Sequence, residues 1–386
     1  MRLYAVPLMS LLLMPQAGNV PANKLTPGTA TLPLLGSLCL FLSAIEYIIP
    51  KPLPFMRIGL ANLPLLLALD LLSPADFLLL ILIKVMGQGI LSGSLFSYIF
   101  LFSLAGTFSS AALMYGMRKL LGKKHSGFAG IGCAGALLSN GVQLLLARYL
   151  IFGASIQYLA PPFLAAGFIS GITLGVLCEI FCRRSQWYAI CLGEREDGAR
   201  NKGQPLPSAP APGSHALPKW EVQRMRRREQ WNKLFKSPPL FCGGAALAAA
   251  LILSPSLRSC GFVFLFLCVL AWISGKKTNI ALTITVMAGI VFFNLFAPYG
   301  KVLFEIGALH ITQGSLEAGL RKALILEGLV MLSGACIKSD LRLPGRFGCL
   351  LAESFRLLEK MREYKANIRR GRIIEGIDRM LMELGR

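Results

Sequence analysis

The chain has 386 residues, 54% of them hydrophobic and only 15% charged, with a mean hydropathy of +0.60. That balance excludes an ordinary soluble domain: repeated apolar runs near the ~20-residue spanning length mark a polytopic membrane protein. The net charge of +21 comes from 40 Lys and Arg against 19 Asp and Glu. The cations cluster between apolar runs, so the positive-inside rule and anionic headgroups account for them without a nucleic-acid partner.

The runs lack the alternating polarity of a membrane β-barrel, so the spans are expected to be helices whose backbones satisfy themselves. Residues 1–30 read as an N-terminal stub. Arg2 and the following LYAVPLMSLLLMP resemble a signal h-region, but Pro7 interrupts a run too short to span, and an uncleaved interfacial segment is expected. The first span is expected over 32–49, with Glu46 near its far end, followed by a proline-stiffened loop at 50–54. Spans two to six are expected over 58–72, 77–91, 95–117, 128–152 and 162–181. Ser92-Gly93-Ser94 is either a turn or a small-residue contact inside one long helix. Gly167, Gly171 and Gly175 repeat every four residues, a small-xxx-small packing face.

The stretch 56–102 carries polar residues that lipid would not accept: Arg57, Asn62, Asp70, Asp76, Lys84 and Gln88. An ionisable group at the bilayer centre costs on the order of 3 kcal/mol or more. Asp70 and Asp76 bracket the Ser73-Pro74 turn and are expected at helix ends in the headgroup layer. Lys84 and Gln88 lie mid-segment, one turn apart on one face. Asn140 and Gln143 make a similar pair in span five. These residues either line a small-molecule site or serve structure, Lys84 pairing with Glu46 or Asp70 and the amides joining helices.

Residues 185–237 change character. NKGQPLPSAPAPGSHALPKW reads as a flexible linker, and RMRRREQWNKLFK is either a basic helix on an anionic leaflet or a solvated charge run. Four further spans are expected over 241–253, 261–273, 281–296 and 323–336. An amphipathic segment, EIGALHITQGSLEAGLRKA, precedes the last. After Lys338 the spacing and charge predict one or two amphipathic cytosolic helices. The basic stretches 118–124, 183–237, 276–277 and the tail place both termini in the cytoplasm, with Lys51 and Arg57 outside. The expected architecture is therefore an all-α polytopic protein of about ten transmembrane helices in two bundles, 31–184 and 238–337, joined by the linker 185–237 and ending in tail helices over 338–386.

With MRIGLANLPLLLAL, KVMGQGILSGSLFSYIFLFSLAG and SNGVQ, residues 32–181 resemble the Gx transporter family, also labelled heptaprenyl diphosphate synthase component I. Their layout is similar to the six-helix substrate-binding (S) components of energy-coupling factor (ECF) transporters. The second half, with GALHITQGSLEAGLRKALILEGLVMLS and its amphipathic tail, more loosely resembles the ECF transmembrane coupling (T) component. That resemblance implies docking of ECF-type ATPase subunits through an Arg-centred motif, for which Arg369, Arg370 and Arg372 are the nearest match.

The implied function is transport across the cytoplasmic membrane of a small anionic or amphiphilic metabolite, flavin- or isoprenoid/quinone-related by resemblance alone. The candidate binding residues are Arg57, Asn62, Lys84, Gln88, Asn140 and Gln143. The second function class is a non-catalytic anchor for a polyprenyl diphosphate synthase or a flavin-linked redox system. No enzyme activity is expected: the chain has no GxxxxGK[ST] loop, and its aspartates form no DDxxD cluster. Ten scattered cysteines without a CxxC pair and the isolated His125, His215 and His310 point to no metal and no cofactor.

Overall fold

The computed structural model describes residues 27–48, 59–193, 219–234, 237–254, 256–275, 280–296, 299–306, 309–336, 345–364 and 373–385. The described chain is almost wholly helical. Helix α1 (Pro27–Ile48) is followed, after residues outside the description, by a 3₁₀ turn at Leu60–Asn62 and a six-residue helix α2 (Leu63–Ala68). The expected second span, 58–72, is thus found as a broken helical segment. Gly59 at φ 87° is left-handed and stops any helix from running in from the N-terminal side. Beyond Ala68 hydrogen-bonded turns run to Leu72, just short of Pro74.

Helix α3 (Pro74–Ser92) starts where Ser73 Oγ accepts from Asp76 N–H at 3.3 Å and Pro74 fits the first turn. It ends at Gly93, φ 62°, which accepts a left-handed cap readily. Ser92-Gly93-Ser94 is therefore a turn. Helix α4 (Tyr98–His125) passes through the non-helical Gly122, and α5 (Phe128–Ala147) continues as one π turn over Arg148–Phe152. The chain then reverses at Gly153 into α6 (Ile156–Arg184). The α5–α6 hairpin packs through glycine: a Cβ on Gly171 would lie 2.8 Å from the Gly132 carbonyl oxygen, and one on Gly175 would strike the Phe128 carbonyl.

By length and composition, Pro74–Ser92, Tyr98–Gly122 and Phe128–Arg184 can cross a membrane, and the last holds both α5 and α6. This is a helical membrane protein. Four further helices occupy the places expected in the second half: α8 (Lys219–Leu234) leads into α9 (Ser237–Ile252), α10 (Leu257–Ile273), α11 (Ile280–Asn294) and α12 (Gln313–Cys336). With 16, 17 and 15 residues, α9, α10 and α11 fall short of ~20, and the count of ten spans is not reached by length and composition among the described residues.

Two expectations need correction, while the tail helices are found as expected. The stretch before α12 is an antiparallel hairpin, Val302–Ile306 with Leu309–Thr312, so the fold is not strictly all-α. β-branched and aromatic residues on a short run favour strands over the first part of the amphipathic segment expected at 305–323, and its remainder, from Gln313, belongs to α12. The linker is shorter than 185–237: α7 (Gln186–Cys191) buries Trp187 and Tyr188, and α8 sets Trp231 against α12, its indole N–H donating to the Ala335 carbonyl at 3.2 Å. The tail forms two helices, α13 (Gly345–Tyr364) and α14 (Ile373–Leu384), whose apolar faces lie against the first bundle. Leu351, Leu357, Leu358 and Met361 join the core of Leu34, Leu35 and Leu38, with Gly36 close under Ser354.

One end of the first bundle is tied together by charge. Arg118 makes a two-pronged pair with Asp70 at 3.0 and 2.6 Å, donates to the Ser126 carbonyl at 2.6 Å and stacks on Phe128. Tyr188 Oη donates to the same Asp70 at 3.3 Å. Asp70, expected in the headgroup layer, is instead buried beneath Arg118, and Arg118 is a packed ion-pair partner in addition to a topogenic charge. Asp76 stays at the exposed N-terminus of α3, as expected. Asp378 of α14 caps α7, accepting from Ser185 Oγ and from the Trp187 N–H at 3.1 Å.

Candidate functional site

The polar residues of α3 face inward because its other buried positions are apolar and close-packed. Lys84 and Gln88, one turn apart, look into the middle of the first bundle, and both are buried. Lys84 Nζ donates to Asn62 Oδ1. Asn62 is presented by the 3₁₀ turn that follows the left-handed Gly59, and the Gly59 N–H donates to Glu46 Oε1 at 3.1 Å. Gln88 Nε2 donates to Ser43 Oγ, and Ser103 Oγ donates to Gln88 Oε1 at 3.4 Å.

These groups open onto one cavity of about 40 Å³, to which every helix from α1 to α6 contributes lining residues. That is room for about three waters. Helix α4 supplies Ser103, Thr107 and Ser110, and α5 supplies Ser139, Asn140 and Gln143. Five of the six residues named from sequence meet here: Asn62, Lys84, Gln88, Asn140 and Gln143. Arg57 lies outside the described residues, as do Arg369, Arg370 and Arg372.

The five are not alike. Asn140 turns partly toward α6, its Nδ2 donating to the Phe163 carbonyl at 2.9 Å over Gly167, where a Cβ would collide with it. That is the helix-joining role. Gln143 Nε2 donates to Ser139 Oγ at 3.1 Å, one turn back on the same helix. Its Oε1 and the Ser110 hydroxyl are buried without a hydrogen-bond partner.

Glu46, seen in the sequence as a partner for Lys84, is itself a wall residue. Its charge offsets that of Lys84, so the described lining is formally neutral. The hydroxyls were missed, although Ser103, Thr107 and Ser110 sit at i, i+4 and i+7 and so form a visible polar stripe on an apolar helix. Asp70, weighed as a partner for Lys84, is held by Arg118 at the bundle's end and does not line the cavity.

Among the described residues no group of three or more His, Cys, Asp or Glu is placed to hold a metal ion. No curated protein and no solved structure matches the chain. Residues 240–339 match a domain of unknown function, and nothing in this match supports the resemblance of the second half to a coupling component. Residues 35–181, which build most of the cavity wall, match the family model described as heptaprenyl diphosphate synthase component I, and it is this family that the first bundle is similar to.

Proposed function

We propose that the first bundle is the ligand-binding unit of an ECF-like membrane transport protein and that the second bundle serves as its coupling partner. The observation that carries this reading is the central cavity: six helices bring a buried Lys84, a buried Glu46, four amides and a set of hydroxyls to one place inside an apolar bundle. Lipid-facing helices have no use for such groups, and their cost is offset when they hold a ligand. An anionic or acceptor-bearing metabolite fits Lys84 and Asn62. The chain acts by binding and movement, without catalysis or a cofactor of its own.

In this reading the chain has ten spans in a cytoplasmic membrane. The end carrying Arg118, Arg183 and the tail helices faces the cytoplasm, as do both termini, and ATPase subunits dock there through Arg369, Arg370 and Arg372. A second reading rests on the description of the matching family: a non-catalytic membrane subunit that anchors a polyprenyl diphosphate synthase.

Mass spectrometry of small molecules that co-purify with the protein tests the choice. A molecule released by wild type and absent from Lys84→Met, at unchanged thermal stability, supports the transport reading. Co-purification of a prenyl synthase with no bound small molecule and no ATPase replaces it with the anchor.

A further inference from the structure

We propose that the meeting point of α8 and α10 is a binding site for one anionic phospholipid, its phosphate held at Arg227 and an acyl chain lying along the exposed face of α10. The inference is independent of the central cavity.

Helix α8 builds the headgroup end. Its sequence KWEVQRMRRREQWNKL carries six cations against two carboxylates. Arg224, Arg227, Arg228 and Trp231 fall at i, i+3, i+4 and i+7 on one face, and that face turns toward the ends of α10 and α12. Arg228 and Trp231 are the anchors, donating to the Gly334 and Ala335 carbonyls. The approach is close: a Cβ on Gly275, just past α10, would lie 2.7 Å from the Arg224 carbonyl oxygen.

Arg227 is held differently. Its guanidinium lies over the Trp272 ring, 4.4 Å from the centroid, the residue is partly exposed, and its Nε has no hydrogen-bond partner. Stacking fixes the plane of the fork, and a phosphate oxygen is the acceptor that such a fork suits. The buried Arg224 adds to the positive field. Burial, with the Arg224 charge adding to it, pulls the Arg228 guanidinium below its usual range. A cluster of like charges is relieved by a bound anion.

Helix α10 builds the tail end. Phe262, Leu265, Phe266, Val269 and Trp272 are exposed and fall at i, i+3, i+4, i+7 and i+10, a single apolar stripe. From Phe262 to Trp272 it runs about 15 Å, half of a ~30 Å hydrocarbon core and so the depth of one leaflet. Trp272 then sits at headgroup level, where indoles collect, with Arg227 on its ring. Basic pockets between membrane helices hold anionic headgroups. The competing role of Arg227 is to offset the negative end of α10.

Native mass spectrometry of the full chain, released from nanodiscs of phosphatidylcholine with and without phosphatidylglycerol, tests the proposal, with thermal midpoints measured in the same discs. Wild type should retain phosphatidylglycerol in preference to phosphatidylcholine and unfold at a higher temperature with it. Arg227→Gln should weaken that retention ~10-fold or more, the factor that one charge-assisted hydrogen bond carries, and lose the gain in midpoint. Arg227→Lys should recover only part, since an ammonium keeps the charge without the fork. Arg226→Gln removes the same charge from the exposed side of the helix and should leave retention unchanged.

Equal retention of the two lipids by wild type overturns the proposal. So does an equal loss in Arg226→Gln and Arg227→Gln, which makes the attraction a diffuse field. A lower midpoint for Arg227→Gln in phosphatidylcholine alone, with phosphatidylglycerol retained as in wild type, assigns Arg227 to the end of α10 instead. If soluble glycerol phosphate raises the wild-type midpoint as much as phosphatidylglycerol does, the site takes a free anion and the lipid falls. Should Arg227→Gln not fold, the wild-type preference and Arg227→Lys decide.

Discussion

The two bundles are alike in hydropathy and differ in where they put their polar side chains. In the first, charges, amides and hydroxyls from six helices converge on an internal cavity, and the glycines bring α5 and α6 into backbone contact. In the second they bond from one helix to the next: Arg321 on the Ser254 carbonyl, Lys322 on Asn294 at 2.9 Å, Arg228 on the Gly334 carbonyl at 3.1 Å, with Glu327 buried midway along α12. Its flanks carry exposed Leu253, Phe262, Phe266, Trp272 and Phe292, and an open groove along α11 is lined wholly by apolar side chains. Inward polarity gives the first bundle an internal polar cavity, whereas the polar side chains of the second join its helices under an apolar coat.

The sharpest break in this comparison is Asp70→Ala. Its partner Arg118 is 10% exposed and Asp70 6%, so removing the carboxylate strands a buried guanidinium, at a cost of about 3–5 kcal/mol. Loss of detergent-stable protein, or a large fall in the unfolding midpoint, is the expected outcome. The exposed Arg183–Glu179 pair in the same bundle is the control, and Glu179→Ala should cost less than ~0.5 kcal/mol. Equal effects of the two substitutions would remove the claim that Arg118 ties the bundle's end.

Next in size comes the glycine contrast. A Cβ on Gly175 meets the Phe128 carbonyl and the Ala129 backbone, neither of which is the movable tip of a side chain. Gly175→Ala should therefore destabilise by about 1–3 kcal/mol through overpacking. Gly261 and Gly289 in the second bundle have open space around an added Cβ, and Ala there should be neutral or stabilising by helix propensity. Thermal unfolding of the three variants side by side decides it.

What the sequence showed and what it hid follow the same physics. Helix positions were legible because a span must be a long apolar run, and 128–152 was predicted with the bounds that α5 and its π turn occupy. Lys84 and Gln88 stood out because charge and amide mid-span are costly, so their inward placement was readable before any contact was known. The stripe of Ser103, Thr107 and Ser110 was not read, because hydroxyls can bond their own helix and so give a weak signal in an apolar run. The Asp70–Arg118 pair was hidden because its partners are 48 residues apart and each sits near a helix end, where solvated charge is the ordinary expectation. The packing of α13 on α1 was equally hidden: periodicity gives an apolar face, never the surface that covers it.

The joint between the bundles gives a smaller effect. Asn294 Nδ2 donates to the Ile151 carbonyl in the π turn at 3.2 Å, while its Oδ1 accepts from Lys322. Asn294→Ala removes both and should cost about 1 kcal/mol or somewhat more. If the bundles divide labour as described, ligand retention by the first bundle should be unchanged in this variant. Loss of ligand at unchanged stability would mean that the second bundle shapes the cavity.

The smallest effect is one of pH, and it reports on the charge-tied end outside the spans. Burial, with neighbouring Cys182 and Asp70 adding to it, pushes the Tyr188 phenol well above its usual range. In the unfolded chain a tyrosine ionises near pH 10. The folded form holds its proton above that pH while the unfolded form releases it. The contribution of Tyr188 is therefore complete below about pH 10 and is lost progressively as pH rises beyond it, by at most ~1.4 kcal/mol per pH unit for one proton. Tyr188→Phe keeps the ring in place and removes the ionisable group. At neutral pH it should lose only about 1 kcal/mol, for the missing hydrogen bond to Asp70. Above pH 10 its stability should fall less steeply than that of wild type, so that the two midpoint curves converge. Parallel curves through pH 11 would show that the Tyr188 hydroxyl is open to solvent, and that α7 does not seal the end of the bundle.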